Sequence, residues 1–376
     1  MWQLGMWMLA TPMAAPALPL CELGPAAVYV LTAAPGESPQ SHFGHTAVLL
    51  WDPEAGGRSV VYDYGAYRAA PWWELMPKLL TQRLAYEQDT EPVARFRKRY
   101  LARDRTVVAQ RLSLAPAEMI ALRTRLQQDA LHPEFDYHWF DENCTTKVRD
   151  LLLDEALYGG ASGRSVRGEV LRHTAPTRWL WLGLSWGTVE RATAELTQWE
   201  AMFLPENLQR TLEEAGMVDD TCTFVPSDGA GVRAEAPRWG SWLWLLGLKV
   251  AAVLTLLAWA SPRIGRAAVA VVGTAGGLFG TAALLVTVLG TFAPAWDGYN
   301  LWLVSPAWLL LPVAAVWRGR APQAMGPSVI AGGLLALVAC GVVYGAVRGL
   351  LGTNAAMLGL FAPTLVVAAW ALRRLP

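Results

Sequence analysis

The sequence predicts an α+β extracytoplasmic domain over residues 21–238, then an all-α bundle of about five membrane-spanning helices over residues 239–376. Three observations carry this. The chain is 53% hydrophobic and only 16% charged, where soluble domains carry about 25% charged residues. Its charges crowd between Glu22 and Arg238 and thin out afterwards. Apolar stretches follow Arg238, each close to the ~20 residues that cross a bilayer. Formal net charge is zero, so nothing points to nucleic acid or a bulk electrostatic partner.

The first twenty residues are apolar, with Trp2 and Trp7 early and the small residues Ala14, Ala15 and Ala17 late. They read as a signal peptide or signal anchor, although a positive n-region is missing. Leu18–Cys21 fits a lipobox poorly, because Leu20 precedes the cysteine. Ala26–Ala33 and Gly44–Trp51 read as buried strands, and Arg58–Tyr64 as a third. The turn clusters Pro35–Gln40 and Gly56-Gly57 separate them, so the three form an antiparallel meander. Trp72–Leu84 has helical spacing, and Thr106–Leu114 alternates as a strand. Ala117–Leu131 reads as a helix opened by Pro116, and Cys144–Leu157 as another. Thr177–Gly216 reads as helical and amphipathic. Strands grouped first and helices after them give the α+β class.

The apolar stretches run Trp242–Ala260, Ala267–Phe292, Leu301–Trp317, Val329–Val347 and Met357–Leu372. Arg263 and Arg266 follow the first, Arg318 and Arg320 the third, and Arg373 and Arg374 the fifth. Between them, the second and fourth loops hold only Arg348. Basic loops face the cytoplasm, which leaves the domain before the first span outside. Lys249 lies inside the first span. A charge there snorkels to the headgroups or meets a lipid phosphate.

The cysteines are Cys21, Cys144, Cys222 and Cys340, without a CxxC pair or a Cys/His cluster of metal spacing. No metal site and no cofactor is expected. Cys21 and Cys222 bracket the domain and are candidates for a disulfide in an oxidising compartment. Cys340 sits in an apolar run and reads as packing.

Two segments carry candidate chemistry: Ser41-His42-Phe43-Gly44-His45-Thr46 and Glu142-Asn143-Cys144-Thr145-Thr146. The second puts Cys144 at a helix N-terminus, where N–H groups and the helix dipole favour a thiolate. The same N–H groups suit a developing oxyanion. His45 opens a strand in the same domain, and Cys plus His is the minimum for acyl transfer through a thioester. Each piece alone has a bland reading, since a buried Cys is more often inert and a strand-start His more often caps. Gly44 beside the His and the polar flanks of Cys144 favour the chemical one.

The order of His on a strand, a polar residue on the next strand, and Asn-Cys opening a helix resembles the circularly permuted papain-like fold of lecithin:retinol acyltransferase-like enzymes. Several motifs resemble the Lnb family of bacterial lipoprotein N-acyltransferases. They are Ser41–Thr46 (SHFGHT), Tyr62–Tyr67 (YDYGAY), Asp141–Asp150 (DENCTTKVRD), Phe203–Leu208 (FLPENL) and Trp296–Leu303 (WDGYNLWL). Asp63 departs from the Asn expected in the family's Asn-Tyr-Gly. The resemblance implies an enzyme of the inner membrane that moves a fatty acyl chain from a phospholipid to the N-terminal amine of a lipoprotein. Cys144 would be the nucleophile and His45 the base, with Asp63 or Tyr64 orienting the imidazole. The Cys144 N–H with Asn143 or Ser41 would hold the oxyanion. His42 is the alternative to His45. Lys147, Lys249 and Asn300 are candidates for lipid contact, Lys147 reading equally well as a solvated helix face. Two rivals stand beside this: a membrane-anchored cysteine peptidase or amidase acting on cell-wall peptides, and a non-enzymatic sensor or assembly factor.

Overall fold

The computed structural model describes residues 18–38, 41–55, 59–68, 70–81, 84–188, 191–227, 239–289, 299–316, 327–348, 350 and 354–374. The signal segment up to residue 17, the Gly56-Gly57 turn and the arginines at 318 and 320 lie outside these residues. The N-terminal part is built on strands β1 (Ala27–Ala33), β2 (His45–Trp51), β3 (Val60–Ala66), β4 (Ala85–Pro92), β5 (Val107–Leu112), β6 (Glu134–Asp136) and β9 (Val218–Val225). They form one antiparallel sheet in the order β6-β4-β3-β2-β1-β5-β9. A separate two-stranded sheet pairs β7 (Ala161–Ser165) with β8 (Glu195–Thr197). The helices are α1 (Trp72–Leu80), α2 (Val93–Leu101), α3 (Pro116–Leu131), α4 (Cys144–Leu152), α5 (Val166–Thr174), α6 (Arg178–Gly187), α7 (Gln198–Ala201) and α8 (Pro205–Glu214).

Successive side chains of a strand point to opposite faces, and both faces of the sheet are covered. On one, Tyr29, Leu31, Ala47, Leu49 and Val61 pack with Phe96 and Tyr100 of α2. On the other, Val30, Val48 and Tyr62 pack with Leu126 of α3, Val148 of α4 and Leu208 and Leu212 of α8. The predicted meander and α+β class are therefore observed. The predicted helical run from Thr177 to Gly216 is not continuous: it divides into α6, a short 3-10 turn, β8, α7 and α8.

Cys21 and Cys222 form a disulfide across a sequence separation of 201 residues. Cys21 thus lies against β9, where the Cys21 N–H donates to the Thr223 carbonyl at 3.0 Å. With its sulfur in this bridge, Cys21 is not free to carry a lipid thioether.

The C-terminal part contains α9 (Trp239–Ala260), α10 (Pro262–Leu289), α12 (Pro327–Val347) and α13 (Ala355–Arg374), all long and apolar enough to cross a membrane. The third predicted span is not a single helix, so the described residues hold four long helices and one interrupted segment rather than five. That segment is a 3-10 turn at Tyr299–Trp302, a second at Pro306–Leu309, and α11 (Leu310–Val316). Pro306 and Pro312 lack the N–H that a continuous helix needs. The segment runs antiparallel along α10. A Cβ at Gly280 would meet the Ser305 carbonyl carbon at 2.5 Å, and one at Gly273 would meet Leu311 Cβ at 2.5 Å. Residue 316 therefore ends towards the α9–α10 connection, the side of Arg263 and Arg266. By the positive-inside rule this is the cytoplasmic side.

The bridge supports a first prediction. A cross-link over so long a loop contributes about 2–5 kcal/mol. Cys222→Ser, or reduction of the native chain, is expected to lower the urea midpoint of the N-terminal domain by a corresponding amount. Unchanged urea unfolding followed by circular dichroism would contradict it.

Candidate active site

The candidate site lies where the start of β2 meets the start of α4. Asn143 caps α4: its Oδ1 accepts from the Thr145 and Thr146 N–H groups at 2.8 and 3.0 Å. Its Nδ2 donates to the Trp139 and Phe203 carbonyls at 2.9 and 3.1 Å. The Thr146 hydroxyl accepts from the Asn143 N–H at 2.8 Å, which closes the cap from the other side. An Asn at this position satisfies N–H groups that a helix start leaves open. The cap does not use the Cys144 N–H, so that donor stays beside the thiol.

His45 is the first residue of β2. Its Nε2 lies 2.6 Å from Asp63 Oδ1 on β3. The other carboxylate oxygen, Oδ2, accepts from Arg99 Nη2 of α2 at 2.8 Å. Arg99 also pairs with Glu91 of β4. The Gly65 N–H donates to Asp63 Oδ1 at 2.8 Å. Asp63 is buried with 4% exposure, yet every lobe of its charge has a donor. With Nε2 held by Asp63, the Nδ1 nitrogen of His45 is the one left for the Cys144 thiol, whose proton affinity His45 lowers.

Electrostatics follow from this chain. Burial pushes the Cys144 thiol up, but the charge and hydrogen bond of His45 and the Thr46 N–H outweigh it, leaving the thiol below its ordinary value. Burial would drive the proton off His45. The Asp63 carboxylate, with Tyr100 and Cys144 adding to it, holds the imidazole well above its ordinary value instead. Asp63 is pushed up by burial and pulled further down by His45 and Arg99, ending well below the usual carboxylate range. Both shifts favour thiolate and imidazolium, the reactive form of a cysteine nucleophile.

Glycines in two of the motifs serve this geometry. Gly44 has φ of +82°, and a Cβ there would meet the Ala33 carbonyl oxygen at 2.9 Å and Pro205 Cγ at 3.2 Å. Gly65 lies against the His45 ring: an added Cβ would collide with Cε1 and stand 3.2 Å from Nδ1.

The remaining sequence candidates make other contacts. Tyr64 points to the other face of β3 and donates to Asp129 Oδ2 at 2.8 Å, so of the two residues expected to orient His45 only Asp63 touches it. Asn143 spends its side chain on the cap. The Ser41 hydroxyl donates to the Ser38 carbonyl at 2.9 Å. His42 is buried between the Ser38 carbonyl and Thr177 Oγ1, at 2.8 and 2.7 Å, away from the thiol. Lys147 pairs with Glu142 and lies 4.9 Å from the centre of the Phe135 ring. Lys249 is exposed on α9. Asn300 is buried in the bundle and donates to the Trp186 carbonyl at 2.6 Å. Arg99, Glu91 and Gly65 were not among the candidates. Gly65 has a local signal in its motif; Arg99 has none, because it comes from a helix that reads as a solvated charge run.

Among the described residues, one other cluster brings potential ligand atoms together, Glu169, His173 and Glu206, within 4.8 Å of one another. Arg172 bonds both carboxylates and Arg164 pairs with Glu169. Burial would raise the Glu206 carboxyl, but His173 and Arg172 hold it at about 2. The charges are already matched, so the cluster reads as an ion-pair strut; His173 Nδ1 also bonds the His42 carbonyl at 3.0 Å.

Comparison with known families matches residues 23–166 to the Lnb N-terminal periplasmic domain. This is the family that the motifs of the soluble half resemble. The match takes in His45, Asp63, Gly65, Arg99 and Cys144. Comparison with curated proteins finds no match, nor does comparison with solved structures. The chain is thus a membrane protein with a periplasmic domain.

Two outcomes are expected. With Cys340→Ser as background, Gly65→Ala should slow iodoacetamide alkylation of Cys144 by about tenfold, the loss of one pKa unit of thiolate stabilisation. Alkylation at the parental rate would show that His45 does not need the space. Asp63→Asn removes the charge that holds the imidazolium. The alkaline limb of His45 titration, followed by NMR of labelled histidine, should then move to lower pH. A limb that stays in place would show that Asp63 does not set the His45 charge.

Proposed function

We propose that this protein is a thiol-dependent acyltransferase of the bacterial inner membrane. It would move a fatty acyl chain from a phospholipid to the α-amine of a lipoprotein's lipid-modified N-terminal cysteine. The observation that carries the reading is the Cys144–His45–Asp63–Arg99 chain, set in a periplasmic domain attached to an apolar bundle.

The chemistry runs in two halves. The Cys144 thiolate attacks the donor's ester carbonyl, and the Cys144 N–H at the start of α4 receives the developing oxyanion. The tetrahedral adduct collapses, His45 gives its proton to the leaving lysophospholipid alkoxide, and a thioester remains. The acceptor amine then attacks the thioester and His45 takes its proton. Collapse expels the thiolate and leaves an amide. Ester to thioester to amide runs downhill overall, so no nucleotide or metal enters the balance.

The attached bundle favours a lipid substrate over a cell-wall peptide, since a single anchor would serve a peptidase. The matched buried charges around His45 favour catalysis over a sensor role, because a structural histidine has no need of a thiol partner.

Lipoprotein N-termini from cells carrying the native chain should show the amide-linked acyl group by mass spectrometry. Cys144→Ser and His45→Ala should abolish it, and purified native protein given labelled phospholipid should carry the label on Cys144. Normal N-acylation with Cys144→Ser would overturn the proposal.

A further inference from the structure

Helix α6 belongs to the periplasmic domain by connection and to the bundle by packing. Its residues, Arg178 to Gly187, carry one charge, at the first position. Leu184 packs within the domain beside Val166 and Val170. Leu182 and Trp186 pack in the core of the bundle with Val304, Met357 and Leu365. The Trp186 ring meets the Phe279 ring edge-on, with centroids 5.5 Å apart. Near its N-terminus the helix keeps Trp179 67% exposed.

The C-terminus of α6 is buried, where the last carbonyls of a helix need partners. They have them. Arg167 of α5 donates to the Ser185 carbonyl at 3.0 Å and to the Thr188 carbonyl. Asn300 of the bundle donates to the Trp186 carbonyl at 2.6 Å. One cap comes from each half of the protein, so α6 is seated rather than loosely laid on the bundle.

Depth can be counted. The 28 residues of α10 span about 42 Å and overshoot a ~30 Å hydrocarbon layer by about 6 Å at each end. Phe279 lies ten residues before the outer end at Leu289, about 15 Å down at ~1.5 Å per residue. Trp186, beside it, is then about 9 Å inside the hydrocarbon boundary. Trp179 lies seven residues earlier on α6, at most about 10 Å higher. That is the level of the interface, where tryptophan is enriched. The other end of α6 is tied to the active site: Thr177, its N-cap residue, is bonded by His42 Nε2 at 2.7 Å, three residues before His45.

We propose that α6 is a half-buried interfacial helix whose exposed first turn, at Trp179, meets the acyl chains of outer-leaflet phospholipid, and that lipid reaches Cys144 along it. The first half stands on packing and depth alone; the second rests on the acyltransferase reading.

The test has two arms, both on the full chain in vesicles of phosphatidylethanolamine and phosphatidylglycerol. With Cys144→Ser and Cys340→Ser as background, a nitroxide is placed by Trp179→Cys, and in a second protein by Ile120→Cys on the exposed surface of α3. Power-saturation electron paramagnetic resonance should show site 179 rich in oxygen and poor in the water-soluble nickel relaxant, and site 120 the reverse. Equal nickel access at both sites would overturn the lipid contact, whatever the enzyme does. In the second arm, Trp179→Glu is made in the otherwise native chain. Acyl-enzyme formation from vesicle phospholipid should fall about tenfold more than that from soluble p-nitrophenyl butyrate. Equal losses on the two donors would overturn the lipid route. A native chain that takes no acyl group from either donor would sink the acyltransferase reading and with it the route, but leave the first arm standing.

Discussion

A carboxylate buried under a β-sheet is costly unless its charge is met from several sides. Asp63 is met by His45, Arg99 and the Gly65 N–H. Arg99 in turn is steadied by Glu91 and by the rings of Phe96 and Tyr100, 5.2 and 5.1 Å away. Removing any one partner leaves a buried charge uncompensated, so the group behaves as a unit. The Asp63 carboxylate favours the imidazolium, and the imidazolium in turn favours the thiolate. The electrostatic setting of Cys144 thus depends on the far face of the sheet, through Asp63 and Arg99 of α2.

The two groups of the proposed chemistry come from different layers, His45 from the sheet and Cys144 from α4. Their spacing depends on contacts that hold those layers in register. Thr46 Oγ1 and Thr145 Oγ1 lie 3.2 Å apart across the gap, one next to His45 and the other next to Cys144. Asn143 fixes the start of α4 to the Phe203 carbonyl, and Gly44 admits Pro205 against the His45 loop. The Phe203–Leu208 segment therefore serves the site by bracing the helix start and the loop together. Asn207 anchors that brace through the Ala201 carbonyl at 2.7 Å.

How much of this could be read from the chain follows from where each signal resides. β1, β2 and the candidate pair carry local signals, in apolar β-branched runs and an Asn cap ahead of a Cys. Choosing Asp63 over Tyr64 was not possible without register. The pairing of Leu49 with Val61 puts His45 and Asp63 on one face and Tyr64 on the other. β4 (AYEQDTEP) and β9 (VDDTCTFV) are polar strands that persist because sheet neighbours pair them, which no local propensity reports. Arg99 sits among Arg95, Arg97 and Lys98, and only the tertiary fold turns one of these towards a carboxylate. The third span had the hydropathy of a crossing, but hydropathy does not register that its prolines break the helix.

That break and the seating of α6 are one feature. Irregular backbone at membrane depth is tolerated only where protein covers it. The segment from Tyr299 to Leu309 is covered: the Tyr299 hydroxyl donates to the Gly341 carbonyl at 2.9 Å, and Trp308 Nε1 to the Leu303 carbonyl at 3.0 Å. The same turn presents Asn300 to the end of α6. A buried helix end and a buried chain break are each expensive alone, because each strands polar backbone away from water. Set against one another, the side chain of the break caps the carbonyl of the helix. The periplasmic domain is thereby joined to the bundle by a polar contact inside an apolar shell of Trp186, Phe279 and Phe361. Breaking this contact strands polar groups of both structures in that apolar shell, a cost that favours holding the His45 loop, tied to the same helix through His42, at a fixed height above the bundle.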